Sequence, residues 1–210
     1  MNLATKLTFT RIYMTILLLV ILVFPFDSIG INIPKLFVNE SLVVDLRYII
    51  SGVIFIIASL TDYLDGYVAR KYNMVTDFGK MIDAIADKVL VNSVLILLSA
   101  TGFVHPIITV IIVGRDTITN AIKMAVGNKK AVVAASQMAK IKTMTLMVGI
   151  SLTLFYNLPF ELYNLRVSDF LLIIAAILSI ISGIEYYKVN KEFIFEKKEI
   201  KENTPTEILN

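Results

Sequence analysis

Apolar residues fall in six blocks along the chain, at about 10–27, 43–64, 82–101, 104–124, 141–158 and 168–188, and charged residues gather between them. A helix needs roughly 20 residues to cross the hydrocarbon core of a bilayer. The charge-free runs are mostly shorter: Ile12 to Phe26 is 15 residues and Tyr48 to Thr61 is 14. The remaining length comes from one end of each block, where charges intrude. Val89 to Gly114 is 26 residues without a charge, and Thr101-Gly102-Phe103-Val104-His105-Pro106 divides it as a tight turn. The pattern predicts an all-α, polytopic membrane protein with six transmembrane helices. The first block has no small-residue cleavage site behind it and no charged leader, and is expected to be a retained helix.

Composition points the same way. Of 210 residues, 57% are apolar and 18% charged, whereas a soluble domain is nearer half and a quarter. There is no Cys, which excludes disulfides and thiolate chemistry. There is no Trp, so Tyr is the main interfacial aromatic. The net charge of +3 is too small to argue for nucleic acid. With six spans and a cytosolic N-terminus, 17 of the 20 Lys and Arg residues fall on the cytosolic side, and only Lys35, Arg47 and Arg166 fall outside. That bias predicts a multi-pass protein of the cell membrane with both termini cytosolic. Residues 1–188 then form the membrane domain. Residues 189–210, charged in both signs, form a solvated cytosolic tail.

The charges that intrude on the blocks lie near their cytosolic ends: Asp62 and Asp65, Asp83 and Asp87, Arg115 and Asp116, Lys140 and Lys142, and Glu185. A charge facing lipid at a helix centre costs on the order of 2.5–3.5 kcal/mol. Such groups are expected to face one another, in a polar cavity open to the cytosol. Glu185 reads equally well as the marker of a helix end.

The stretch with most chemistry is Asp62-Tyr63-Leu64-Asp65-Gly66-Tyr67-Val68-Ala69-Arg70, followed after eight residues by Gly79-Lys80-Met81-Ile82-Asp83-Ala84-Ile85-Ala86-Asp87. Asp62 and Asp65 share one helix face, and Asp83 and Asp87 share another. A short loop joins the two helices, so the faces can meet. Four carboxylates in a low-dielectric site do not all stay ionised unaided. Hard cations such as Mg²⁺ or Mn²⁺ suit an oxygen-only donor set, and two of them would clamp a diphosphate. Gly66, Ala69 and Gly79 leave room for a ligand or for a neighbouring backbone. Arg70 adds a forked donor suited to phosphate.

The pattern D-x2-D-G-x2-A-R-x8-G-x3-D-x3-D, present here at every fixed position, resembles the signature of the CDP-alcohol phosphatidyltransferase family. Further likeness runs over roughly residues 1–188, to the bacterial branch that uses glycerol 3-phosphate. It includes the opening Thr8-Phe9-Thr10-Arg11, Gly114-Arg115-Asp116, Ala139-Lys140-Ile141-Lys142-Thr143 and Ser182-Gly183-Ile184-Glu185-Tyr186. The resemblance implies an enzyme of phospholipid biosynthesis that moves a phosphatidyl group from CDP-diacylglycerol to a small alcohol and releases CMP. Asp62, Asp65, Asp83 and Asp87 would ligate two Mg²⁺ or Mn²⁺ ions, and Asp87 would also be the general base. Thr5, Thr8, Asp62, Gly66, Ala69, Arg70, Thr76 and Gly79 would line the CDP-diacylglycerol site. The family also implies a homodimer.

The expected acceptor is sn-glycerol 3-phosphate. Its phosphate needs cations, and the candidates are Arg115, Lys123, Lys140 and Lys142. Lys140 and Lys142 are two apart and do not share a helix face, so one of them is free to meet anionic lipid heads instead. Away from the fixed positions of the signature the chain departs from the family's usual residues: Ala4-Thr5 stands for Pro-Asn, Ala84 for Pro, and Ala139 for Gly, and Lys123 and residues 127–130 also differ. These changes bear on the acceptor more than on CDP-diacylglycerol, and leave phosphatidylglycerol, inositol phosphate or serine as alternatives. A covalent phosphatidyl-histidine route needs paired histidines, and the chain has one, His105, in the outer turn. A cation transporter with a midplane site is disfavoured because the acids sit at one end of two adjacent segments and no repeat links the halves.

Overall fold

Each apolar block lies in a helix of its own. The computed structural model describes residues 3–31, 33–38, 42–71, 77–126 and 137–202. Its helices are α1 (Leu3–Val23), α2 (Leu46–Lys71), α3 (Asp77–Ala100), α4 (Pro106–Val126), α5 (Gln137–Leu154) and α6 (Val167–Glu202). Single 3₁₀ turns lie at Phe26–Ile29 and Phe160–Tyr163. Among the described residues the regular structure is helical apart from a two-stranded hairpin. Among the described residues one stretch, Val167–Lys191 within α6, is long and apolar enough to cross a membrane by length and composition, and the apolar run Thr8–Val23 of α1 is shorter.

The hairpin replaces the expected start of the second helix at 43. Strand β1 (Lys35–Val38) pairs antiparallel with β2 (Leu42–Asp45), Lys35 opposite Asp45 and Phe37 opposite Val43. Two β-branched residues, Val43 and Val44, favour the strand. Asp45 then ends it and caps α2. Its carboxylate accepts from the Arg47 backbone N–H at 2.9 Å and from the guanidinium at 2.9 and 2.6 Å. Such a cap satisfies an otherwise unpaired N–H of the first turn. Burial raises the Asp45 carboxyl, but the bonds and charge of Arg47 outweigh it and hold the group below its ordinary value.

The other ends follow from local chemistry. Helix α3 stops at Gly102, whose φ of +83° is left-handed. The Phe103 N–H reaches back to the Leu98 carbonyl at 2.9 Å, the closing bond of a glycine-terminated helix. Helix α4 begins on Pro106, whose missing N–H is harmless in a first turn. Between α5 and α6 the buried Asn157 satisfies its whole amide. Its Nδ2 donates to Glu161 Oε2 and to the Leu165 carbonyl, and its Oδ1 accepts from the Ser168 N–H. Tyr48, Phe103 and Tyr156 stack at this same end, with centroids 4.8–5.6 Å apart.

Helix α1 packs on α2 and α3, and α6 packs on α4 and α5. By contrast, α2 and α3 have little direct contact among the described residues. Leu18, Phe55, Leu95, Ile112, Ile150 and Leu172 are fully buried in the core between them. Facing away from it are Tyr13, Val110, Met144 and Phe170, all well exposed. The bundle is therefore apolar inside and out.

Close approach of α5 to α6 depends on Gly149, where an added Cβ would stand 2.9 Å from Leu172 Cδ2. Gly149→Val is expected to lower stability by about 1–3 kcal/mol through overpacking, read as a lower melting temperature in detergent. Gly114→Ala, with open space around it, should leave melting unchanged or raise it.

Candidate active site

Three helices meet at Arg11. One turn along α1 from the buried Thr8, the Arg11 side chain has no exposed surface. Its Nη1 lies 2.6 Å from Asp62 Oδ1 on α2 and 2.9 Å from Asp83 Oδ1 on α3. The two acids thus converge on one cationic nitrogen although their helices have little direct contact among the described residues. Asp87 follows one turn after Asp83, half-buried, within electrostatic reach of Arg11, Lys88, Asp83 and Asp116.

A second charged cluster lies between α4, α5 and α6. Lys142 Nζ donates to both oxygens of Asp116, at 2.8 and 3.0 Å. Arg115 Nη1 donates to Asp116 Oδ1 at 2.9 Å, and Nη2 donates to Ser182 Oγ at 2.8 Å. The Lys142 side chain is 5% exposed and that of Asp116 is 10% exposed. The clusters are neighbours, since Asp87 and Asp116 feel one another's charge.

The expected site residues can now be placed. Asp62, Asp83, Asp87 and Thr8 lie at or beside the Arg11 cluster, and Gly79 lies in the first turn of α3. Asp65, Gly66, Ala69 and Arg70 continue α2 past Asp62, and Thr5 lies in the first turn of α1; their side chains are outside the described set. Thr76 lies outside the described residues. Of the cations, Arg115 and Lys142 are brought together, while Lys140 is exposed on α5. Lys123 is on α4, with its side chain outside the described set. His105 is exposed in the turn at the opposite end of α3 from the acids, where its Nδ1 accepts from the Ile107 N–H at 3.3 Å.

Arg11 and Asp116 were not foreseen as organisers of the site. An arginine flush with an apolar run was the available signal for Arg11. Asp116 was masked by adjacency, because residues one apart on a helix point in different directions, and the length of Arg115 overcomes that.

The donor chemistry suits a hard divalent cation. Carboxylate oxygens from two helices already face one positively charged nitrogen, a donor set of the kind hard cations prefer. Among the described residues no three such side chains stand close enough to hold an ion; the Asp65 side chain lies outside them.

Comparison with known proteins decides the class. The family model for CDP-alcohol phosphatidyltransferase matches residues 1–181. The chain belongs to the CDP-alcohol phosphatidyltransferase family. It is 36% identical to the CDP-diacylglycerol–glycerol-3-phosphate 3-phosphatidyltransferase of Bacillus subtilis over 191 residues, 91% of this chain and 96% of that one. It is 36% identical to the protein of the same name from Rickettsia felis over 166 residues, 79% of this chain and 90% of that one. With the Rickettsia bellii protein of that name it shares 38% identity over 149 residues, 70% of this chain and 82% of that one. The charged residues of both clusters, from Arg11 to Lys142, lie inside the family match of this phosphatidyltransferase.

Arg11→Ala should destabilise the enzyme by about 1.5–3 kcal/mol, the worth of hydrogen bonds to charged groups. Side-chain exposures of 29% for Asp62 and 42% for Asp83 favour the lower end. Thermal unfolding in detergent measures it, with Arg11→Lys recovering part of the loss. Unaltered melting would mean that solvation balances the pairs.

Proposed function

We propose that this enzyme transfers the phosphatidyl group of CDP-diacylglycerol to sn-glycerol 3-phosphate, giving phosphatidylglycerophosphate and CMP. The observation that carries the reading is the convergence of Asp62 and Asp83 beside Asp87, in a chain that matches phosphatidyltransferases of that name over nearly their whole length. Asp87 takes the proton of the acceptor hydroxyl as its oxygen attacks the phosphorus that bears diacylglycerol. The phosphorus–oxygen bond to CMP breaks, and CMP leaves with the electron pair. Thr5, Thr8, Asp62, Gly66, Ala69, Arg70, Thr76 and Gly79 hold the CDP-diacylglycerol head. Arg115 and Lys142 hold the phosphate of the acceptor, with Lys140 and Lys123 as further candidates. Two Mg²⁺ or Mn²⁺ ions, held by Asp62, Asp65, Asp83 and Asp87, would supply charge stabilisation to the diphosphate.

The reading places six transmembrane helices in the cell membrane, with the polar cavity and both termini on the cytosolic side and residues 189–210 as a charged tail. The Lys and Arg asymmetry supports that orientation. The apolar side chains that face outward on α1, α4, α5 and α6 support contact with membrane lipids. A homodimer is the assembly the family suggests.

Purified enzyme given CDP-diacylglycerol and a panel of acceptors should release CMP with glycerol 3-phosphate, and not with phosphatidylglycerol, inositol phosphate or serine. Release with one of the others alone would move the chain to another branch of the family. Chelation should abolish turnover and added Mg²⁺ or Mn²⁺ restore it, whereas full activity in a metal-stripped preparation would overturn the cation site. Asp87→Asn keeps the size of the side chain and removes the base. Turnover should fall at least ~10²-fold while the protein still folds, and normal turnover would remove Asp87 from the role.

A further inference from the structure

The cluster around Asp116 is built more carefully than a closed ion pair requires. Its members come from three helices: Arg115 and Asp116 from α4, Lys142 from α5, and Ser182 and Gly183 from α6. Helices α4 and α5 each pack on α6, and have little direct contact with one another among the described residues. Asp116 joins them by accepting from Arg115 and from Lys142 at once. Two cations against one carboxylate leave one positive charge in excess. Lys88 and Asp87, which also act on this cluster, cancel in sign. A buried excess of positive charge is costly until an anion joins it.

Helix α6 determines where the guanidinium lies. Ser182 Oγ accepts from Arg115 Nη2 at 2.8 Å, and donates in turn to the Leu178 carbonyl at 2.7 Å, which fixes the rotor. Gly183 supplies the space. A Cβ there would stand 3.0 Å from Arg115 Cγ and 3.4 Å from Nε, against the stem of the side chain rather than its mobile tip. Arg115 Nε is buried with no hydrogen-bond partner among the described residues, so the cluster still has a donor to give.

We propose that Asp116, Ser182 and Gly183 are positioning residues that preset Arg115 and Lys142 for the phosphate of the acceptor, which makes α6 a determinant of acceptor affinity. The proposal rests on the reading of Arg115 and Lys142 as ligands of that phosphate. A preset pair of cations binds its anion without first having to order two long side chains. Asp116 holds both in place while the site awaits the acceptor.

Steady-state kinetics of the purified full-length chain in detergent, with each substrate varied in turn, tests this. Arg115→Ala should raise KM for glycerol 3-phosphate roughly ten- to a hundredfold, with KM for CDP-diacylglycerol little changed. Asp116→Asn should follow it in direction. Ser182→Ala and Gly183→Ala should raise the same KM about two- to tenfold, the scale of one neutral hydrogen bond, with melting temperature near that of the parent. Ser182→Thr, which keeps the hydroxyl, should restore it. If Arg115→Ala spares the acceptor KM, the reading of the phosphate site fails and takes the proposal with it. If Arg115→Ala acts as expected but the folded Ser182→Ala and Gly183→Ala enzymes do not, the proposal alone fails. Equal rises in both KM values would assign these residues to the structure of the bundle and likewise overturn it.

Discussion

A guanidinium with no exposed surface is stable only while carboxylates surround it, and Arg11 meets that condition by drawing on two helices. Asp62 and Asp83 lie on α2 and α3, which pack on α1 more than on each other. The ion pairs at 2.6 and 2.9 Å therefore set how the acid-bearing ends of these helices lie. Outside a membrane, hydrophobic collapse alone would hold a bundle. Here many large apolar side chains also face outward, and where outer faces are apolar, polar contacts between helices add specificity that collapse alone does not supply. Arg11 thus acts on the fold and the chemistry together, since the acids it aligns are the ones proposed for the reaction.

The second cluster repeats the principle with the signs exchanged. Helices α4 and α5 share α6 as packing partner, and here one carboxylate, Asp116, gathers two cations. Each half of the bundle thus closes on a charged contact at the same end. The opposite end is closed differently, by the Tyr48, Phe103 and Tyr156 stack and by the saturated amide of Asn157. The ionised groups described here thus gather at one end of the bundle, and the aromatic and amide contacts at the other.

Much of this was legible in the residues. The six apolar blocks became six helices, and the glycine and proline of the α3–α4 turn marked its place. The hairpin at 35–45 was not legible, because Val43 and Val44 continue an apolar block without a break and period alone does not separate a short strand from a helix. Spacing placed Asp62 with Asp65 and Asp83 with Asp87, yet was silent on what joins the two faces. Arg11 lies more than fifty residues from Asp62, and nothing local predicts so distant a pairing. Lys140 and Lys142 were separable by helix geometry only as two faces. In the fold Lys142 is buried against Asp116 of α4 and Lys140 is at the surface.

The charge balance at this end bears on what it receives. Among the described side chains of the two clusters and the intervening turn of α3, the cations are Arg11, Lys88, Arg115 and Lys142, and the acids are Asp62, Asp83, Asp87 and Asp116. They cancel. The described part of the site is thus neutral, and a neutral low-dielectric site resists any single ion, because the charge brought in has nothing to offset it. It accepts a neutral set. On the proposed reading that set would be two divalent cations with four positive charges, the diphosphate of CDP-diacylglycerol with two negative, and a dianionic phosphate on the acceptor with the other two. An uncharged alcohol would leave the assembled site with an excess of positive charge beside the reacting phosphorus. The same arithmetic that makes the empty site stable thus favours an acceptor with a phosphate, and it favours that phosphate where the excess already lies, between Arg115 and Lys142.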